Sequence, residues 1–271
     1  MASFARKARR DNKSIAFVPT MGSLHDGHLE LIRRARQLAD ILIVSVFVNP
    51  TQFNELADLE RYPRDLAGDA ALLTDSDVDV IFAPEEPEIY PPGFSTYVYV
   101  EGLADTLEGA SRPGHFRGVA TVVTILLNTV KPDYAVFGQK DAQQLAIIRR
   151  LVRDLGYETE IVTVQTVREP SGLAMSSRNE LLSPEQREKA AVIYRALSKA
   201  AEAASKGQRN ASKLDQIVRN ELESEPLALI DYVAVVDAET LEPVDKVAER
   251  PAMIAVAARF GEIRLIDNVL L

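Results

Sequence analysis

Apolar residues fall along this chain in short dense runs that alternate with longer periodic stretches. Ile15-Ala16-Phe17-Val18 is a run of strand length. The stretch 28–39 after it places Leu29, Ile32, Ala35, Leu38 and Ala39 near helical spacing. Residues 41–48 are almost unbroken and β-rich, as in a strand buried on both faces of a parallel sheet. A helix over 65–73, a strand over 78–82, a loop with four prolines over 84–93 and a buried helix over 119–130 come next. A strand over 134–137, a helix over 141–155 and a strand over 160–164 complete the alternation. This rhythm predicts an α/β fold, a Rossmann-like doubly wound parallel sheet whose ligands bind beyond the carboxyl ends of its strands.

After Asn179 the pattern changes. Ser183-Pro184-Glu185-Gln186 is a capping box with proline at the first helical position, and the helix it opens is expected to run to about Ser205, stopped by Gly207. A second helix over 211–223 and strand-like runs over 232–236, 253–257 and 263–266 complete a smaller α+β unit with a small antiparallel sheet. The expected division is therefore 1–179 for a Rossmann-like catalytic domain and 180–271 for a C-terminal α+β lid.

Composition narrows the function. The 271 residues are 46% hydrophobic and 26% charged with a net charge of −9, an acidic balance that argues against nucleic acid as a partner. With no cysteine, disulfides, thiolate metal sites and a cysteine nucleophile are excluded. No apolar run reaches membrane-spanning length, and residues 1–14 are polar and basic without the apolar core of a secretory signal, so no membrane role and a cytoplasmic location are expected.

The chemistry concentrates in Met21-Gly22-Ser23-Leu24-His25-Asp26-Gly27-His28, between a strand and a helix. Two imidazoles three apart share one side of the helix's first turn, where unpaired N–H groups and the positive dipole end favour an anion such as phosphate. Zinc is disfavoured: there are only three histidines, and the spacing is wrong for a helical metalloprotease pair. Four further segments each follow or flank a predicted strand or helix. Asn49 and Gln52 offer amides for hydroxyl or carboxylate oxygens. Gly138-Gln139-Lys140-Asp141, with Gln144 one turn on, offers a cation for polyphosphate and a carboxylate for ribose hydroxyls. Met175-Ser176-Ser177-Arg178, in a loop after Val167, offers two hydroxyls and a guanidinium. Arg112 and His115 lie in a basic loop with Arg117. Alone, each has a plainer reading as a turn, a helix cap or a solvated loop.

Together these segments resemble the pantothenate synthetase family. The resemblance spans nearly the whole chain: residues 17–28, 48–53, Arg61-Tyr62-Pro63-Arg64, 112–116, 137–144, 172–179 and Arg264-Leu265-Ile266-Asp267-Asn268. His-x-Gly-His alone would indicate only the wider nucleotidylyl-transferase superfamily. One departure is the glycine-free stretch 53–59. The resemblance implies ATP-dependent condensation of (R)-pantoate with β-alanine through a pantoyl adenylate, with ATP as co-substrate, Mg2+ on its phosphates and a homodimeric enzyme. It implies that His25, His28, Lys140 and Arg178 are catalytic, and that residues 21–28, Gly138, Gln139, Lys140, Asp141, Val167, Met175, Ser176, Ser177 and Arg178 bind ATP. It further gives Gln52, Gln144, Asn49 and Arg112 to the small substrates and leaves Asp69 as a candidate indirect metal ligand or β-alanine contact. Two competitors stand: another His-x-Gly-His transferase with a phosphate or amino-acid acceptor, and a nucleotide-binding regulator without catalysis.

Overall fold

Ile15, Ala16, Phe17 and Val18 are completely buried, so the strand they form, β1 (Ile15–Thr20), needs cover on both faces and a neighbour on each side. It has them. In the computed structural model β1 pairs in parallel with β2 (Ile41–Val46) and β4 (Tyr134–Gly138), and β3 (Val80–Phe82) and β5 (Glu160–Val164) extend the sheet to the order β3-β2-β1-β4-β5. The strand order reverses between β1 and β4, which is where a doubly wound sheet opens a crevice beyond its carboxyl ends. Helix α2 (Asp26–Arg36) buries Ile32 and Ala35 against Val18, Val44 and Val136.

The structure describes residues 1–54, 59–60, 62–247 and 250–271; Arg61 and residues 55–58 of the glycine-free stretch lie outside them. The chain divides into two units, Met1–Gly138 with Ile147–Val164, and Gln139–Ala146 with Gln165–Leu271. Residue 179 falls within the second, in the 3₁₀ turn Ser177–Leu181.

Several elements differ from the sequence reading for local reasons. Polar Ala2–Arg10 forms a helix, α1, that buries only Ala5 and Ala8 and so gives little periodic signal. Helix α3 (Leu66–Thr74) is capped by Asp65, whose side chain accepts from the Gly68 N–H. The proline-rich stretch contains a one-turn helix, α4 (Glu86–Ile89), because Pro87 sits in the first turn, where no amide hydrogen is needed. A second short helix, α5 (Glu108–Ser111), precedes α6 (His115–Val130), which starts four residues before its apolar stretch. Helix α7 (Ala142–Asp154) follows a 3₁₀ turn over Gln139–Asp141.

In the second unit the Ser183 capping box forms as expected, but the helix it opens is two: α8 (Pro184–Ala190) and α9 (Val192–Ser205). The two meet at Ala191, and Val192 and Ile193 at the start of the second are both buried in the core. Helix α10 (Ala211–Glu223) adds Leu214, Val218 and Leu222 to that core. The strands β6 (Ala228–Asp237), β7 (Ala252–Phe260) and β8 (Ile263–Leu270) form an antiparallel sheet in sequence order, each longer than the apolar pattern alone indicates.

Candidate active site

The first unit holds the histidine motif. Thr20, the last residue of β1, bonds the Ser45 carbonyl of β2 at 2.7 Å and accepts the Gly22 N–H at 3.2 Å, so the chain leaves the sheet in a fixed direction. Gly22 and Ser23 then take left-handed backbone, φ 79° and 52°. Glycine is required at 22, since a Cβ there would stand 2.7 Å from Asp69 Oδ2 and 3.1 Å from Val46 Cγ1. Serine at 23 is held by Asp69 of α3, whose carboxylate accepts the Ser23 and Leu24 N–H groups at 3.0 and 2.8 Å.

His25 is the N-cap of α2. Its Nδ1 accepts the Gly27 N–H at 3.1 Å, while its own N–H is accepted by His28 Nδ1 at 3.3 Å, a reciprocal capping box made of two imidazoles. The ring centroids are 4.1 Å apart. With Nδ1 the acceptor in each ring, the neutral tautomer these bonds select carries its hydrogen on Nε2 in both. The pair is thus fixed as two N–H donors at the positive end of an 11-residue helix. Met21 and Asp26 flank this turn, and Asp26 at the helix start suits the dipole.

Beside β2, the 3₁₀ turn Pro50–Gln52 carries the first amide of the candidate set. Asn49 is 1% exposed, and both its amide hydrogens are committed, to Gln52 Oε1 at 3.0 Å and the Gly118 carbonyl at 3.2 Å. Its Oδ1 accepts from Thr51 Oγ1 at 2.9 Å and from the Tyr90 hydroxyl at 2.7 Å. Asn49 thus holds the Gln52 amide as well as the Gly118 carbonyl. The Gln52 Nε2 meets Met21 Sδ at 2.8 Å, a weak acceptor that a better one can displace. Arg112 and His115 brace the same residue from behind. Arg112 Nη2 donates to the Gln52 carbonyl at 3.3 Å, and His115 Nδ1 reaches it at 2.8 Å. Gly118 lets α6 approach: a Cβ there would stand 2.4 Å from the Thr51 carbonyl oxygen. Arg117 stacks on Tyr97 at 4.4 Å from the ring centre, a surface role. Gly138 ends β4, where the added Cβ would meet only Leu31 at 3.9 Å.

The second unit holds the remaining candidates. Gln139 is buried, its Nε2 donating to Asn268 Oδ1 at 2.9 Å, so it anchors its loop internally. Lys140 lies 3.4 Å from Asp141 in an ion pair, and Gln144 follows one turn later in α7. Val167 and Met175 are joined by a Met175 N–H to Val167 carbonyl bond of 2.9 Å, and the bridge between Arg168 and Ala174 closes the hairpin between them. Ser176 caps the 3₁₀ turn that begins at Ser177, accepting the Arg178 N–H at 3.3 Å, and the Arg178 side chain is exposed. Buried Asn179 ties the end of the loop to Glu169 Oε1 at 2.7 Å and the Ala174 carbonyl at 3.0 Å. Sequence reasoning gave no role to Tyr90, Gly118, Arg168, Glu169, Asp267 or Asn268. Only the Arg264–Asn268 block carried a signal for two of them.

Among the described residues no group of three or more His, Asp or Glu is placed to hold a metal ion, and no helix is long and apolar enough to cross a membrane.

A family profile described as pantoate-beta-alanine ligase matches residues 1–270. The chain belongs to the pantoate–β-alanine ligase family. The pantothenate synthetase of Pelotomaculum thermopropionicum is 56% identical over 269 residues, 99% of this chain and 95% of that protein. The pantothenate synthetase structure from Thermus thermophilus superposes with a TM-score of 0.91 at 50% identity, over 98% of this chain and 96% of that one. The pantoate-beta-alanine ligase of Francisella tularensis, complexed with beta-gamma ATP and beta-alanine, gives a TM-score of 0.78 at 38% identity, over 98% and 94% of the two chains. This pantoate–β-alanine ligase family member has the expected α/β architecture, a five-stranded parallel sheet with a smaller antiparallel sheet, and it is a ligase by that kinship.

Proposed function

We propose that the chain condenses (R)-pantoate with β-alanine at the expense of ATP, through a pantoyl adenylate, releasing AMP and pyrophosphate. The observation that carries the reading is the His25–His28 capping box, which commits both Nδ1 atoms and leaves Nε2–H as the donor form of each ring. Family membership supplies the substrates, and the Francisella relative's complex with an ATP and β-alanine supports ATP as co-substrate.

Pantoate's carboxylate is ionised at neutral pH, since carboxyl groups titrate near 4, so its oxygen attacks the α-phosphorus without a base. The attack needs in-line alignment and neutralisation of charge that builds on the phosphates as pyrophosphate leaves. His25 and His28 donate to the phosphates, with His28 the proton donor. The backbone of 21–28 receives phosphate oxygens at the helix start. Lys140, Ser176, Ser177 and Arg178 hold the triphosphate. Gly138 and Asp141 meet the ribose, and the backbone about Val167 and Met175 meets adenine. Gln52 and Gln144 grip pantoate's hydroxyls, so an acid lacking them leaves amides unpaired and is rejected. Arg112 and Asn49 join them at the small substrates, and both also hold Gln52.

The amine of β-alanine then attacks the acyl carbon, the bond to AMP oxygen breaks, and the ammonium formed gives up a proton to solvent. Mg2+ fits as a passenger on the nucleotide rather than a resident ion. The one buried candidate ligand, Asp69, has its carboxylate committed to two backbone N–H groups, and Mg2+ readily takes phosphate and water oxygens. All assigned contacts precede residue 180, so 1–179 is proposed as the catalytic part, with 180–271 a lid that keeps water from the adenylate. A homodimer working on small molecules in the cytoplasm completes the proposal, the dimer being read by sedimentation equilibrium.

The test is AMP formation from ATP, pantoate and Mg2+, with and without β-alanine, beside a His28→Ala control. AMP that depends on pantoate and is abolished by the substitution supports the ligase. Absence of AMP under every condition would overturn it, and background ATP–pyrophosphate exchange with every acid would point to a regulator.

A further inference from the structure

Asp267 and Asn268 are consecutive residues of β8, and both are buried. In a strand, neighbours point to opposite faces, so one strand position can serve two separate loops. Asn268 Nδ2 donates to the carbonyls of Gln139 and Lys140, each at 3.0 Å, and its Oδ1 accepts the Gln139 amide at 2.9 Å. This uses both amide hydrogens and fixes the backbone of the lysine loop from both sides of the Gln139–Lys140 peptide. Asp267 accepts a two-pronged bond from Arg168, at 2.6 and 3.1 Å. The same guanidinium donates to the Gly172 carbonyl at 3.1 Å and lies 3.8 Å above the Tyr194 ring. It therefore clamps the hairpin whose far strand leads into Met175–Arg178. Gly172, at φ 94°, is pressed so close to Tyr194 that a Cβ would stand 2.6 Å from its ring.

We infer that Asp267 and Asn268 are positioning residues of the ligase reaction: Asn268 sets the pose of Lys140, and Asp267, through Arg168, sets the hairpin that carries Ser176, Ser177 and Arg178. The inference rests on the proposal that Lys140 and residues 176–178 hold the triphosphate. A strand near the end of the chain thereby aligns two loops far before it in sequence, reaching back 99 positions to Arg168 and 128 to Lys140. Bridging loops from a rigid sheet strand, rather than from another loop, is how a cation is kept within the small tolerance that charge stabilisation demands.

The test uses Asn268→Asp, which keeps the size and the acceptor but turns two donors into an oxygen facing two carbonyls. Its kcat/KM for ATP should fall by up to about 10²-fold while the thermal midpoint confirms folding and the pantoate KM holds. In a Lys140→Ala background the same substitution should add less than about twofold, because the residue it acts through is already gone. An equal loss in both backgrounds would mean a general structural role and would overturn the inference. Peptide-level hydrogen exchange needs no turnover: Asn268→Asp should speed exchange over 139–146 and Asp267→Asn over 168–178. Unchanged protection in both variants also overturns it. A wild-type chain that makes no AMP defeats the functional proposal instead, and the exchange arm still decides the anchoring.

Discussion

Asp69 accepts the backbone N–H of Ser23 at 3.0 Å, holding a serine in the left-handed conformation, φ 52°, two residues before the first histidine. A non-glycine residue there persists only where its surroundings hold it. Asp69 is 4% exposed, and its removal would leave the half-buried Ser23 and Leu24 N–H groups without their carboxylate partner. Asp69→Ala should cost about 2 kcal/mol of stability and depress turnover together. Asp69→Asn, with one acceptor left, should cost less. Urea unfolding beside steady-state kinetics checks this; a variant with wild-type stability and full turnover would sink the idea.

Gly118 touches the candidate substrate turn through backbone alone. A methyl group at this position would stand 2.4 Å from the Thr51 carbonyl oxygen and 2.8 Å from the Gln52 nitrogen. Both are main-chain atoms, so neither can rotate away. Gly118→Ala should therefore displace Gln52, raise the KM for pantoate and cost about 1–3 kcal/mol of stability. An unchanged pantoate KM would show that Gln52 is not held from α6.

Glu169 links the phosphate-loop candidate to pH. Burial pushes its carboxyl up, but the Arg187 fork, at 2.9 and 3.0 Å, and the Asn179 amide outweigh burial, and the carboxyl sits below its ordinary range. A depressed carboxyl binds fewer protons folded than unfolded, so its stabilisation is present above the unfolded value near 4 and is lost as pH falls through the folded one. Glu169→Gln should lower stability by about 1 kcal/mol at neutral pH. The gap to wild type should close below about pH 4. Denaturant melts across that range would show a constant gap if Glu169 were not ionised and paired.

Residues 41–46 were legible as a strand because burial on both faces leaves Ser45 as the one polar position in an otherwise apolar, mostly β-branched run. The histidine motif was legible because glycine, histidine and a following amphipathic stretch each demand the same turn. What an amide faces was not. Nothing local to Asn49 or Gln139 shows that the one bonds a carbonyl 69 residues away and the other a side chain 129 residues away. Helix α1 was invisible for a different reason: a helix that buries only two alanines has little apolar stripe to detect.

The imidazole capping box makes its two functions separable at His25. Asparagine is among the best N-caps, and its Oδ1 can take the place of Nδ1 toward the Gly27 N–H. It carries nothing where Nε2–H stands. His25→Asn should therefore keep stability within about 0.5 kcal/mol, whereas His25→Ala should lose about 1 kcal/mol. Both should lose turnover alike, by roughly 10²-fold or more, the usual cost of removing one donor to developing charge. Thermal melts and kcat on the same samples read the two effects independently. If His25→Asn retained turnover, the reaction would need the cap alone, and the distal N–H would have no part in charge stabilisation.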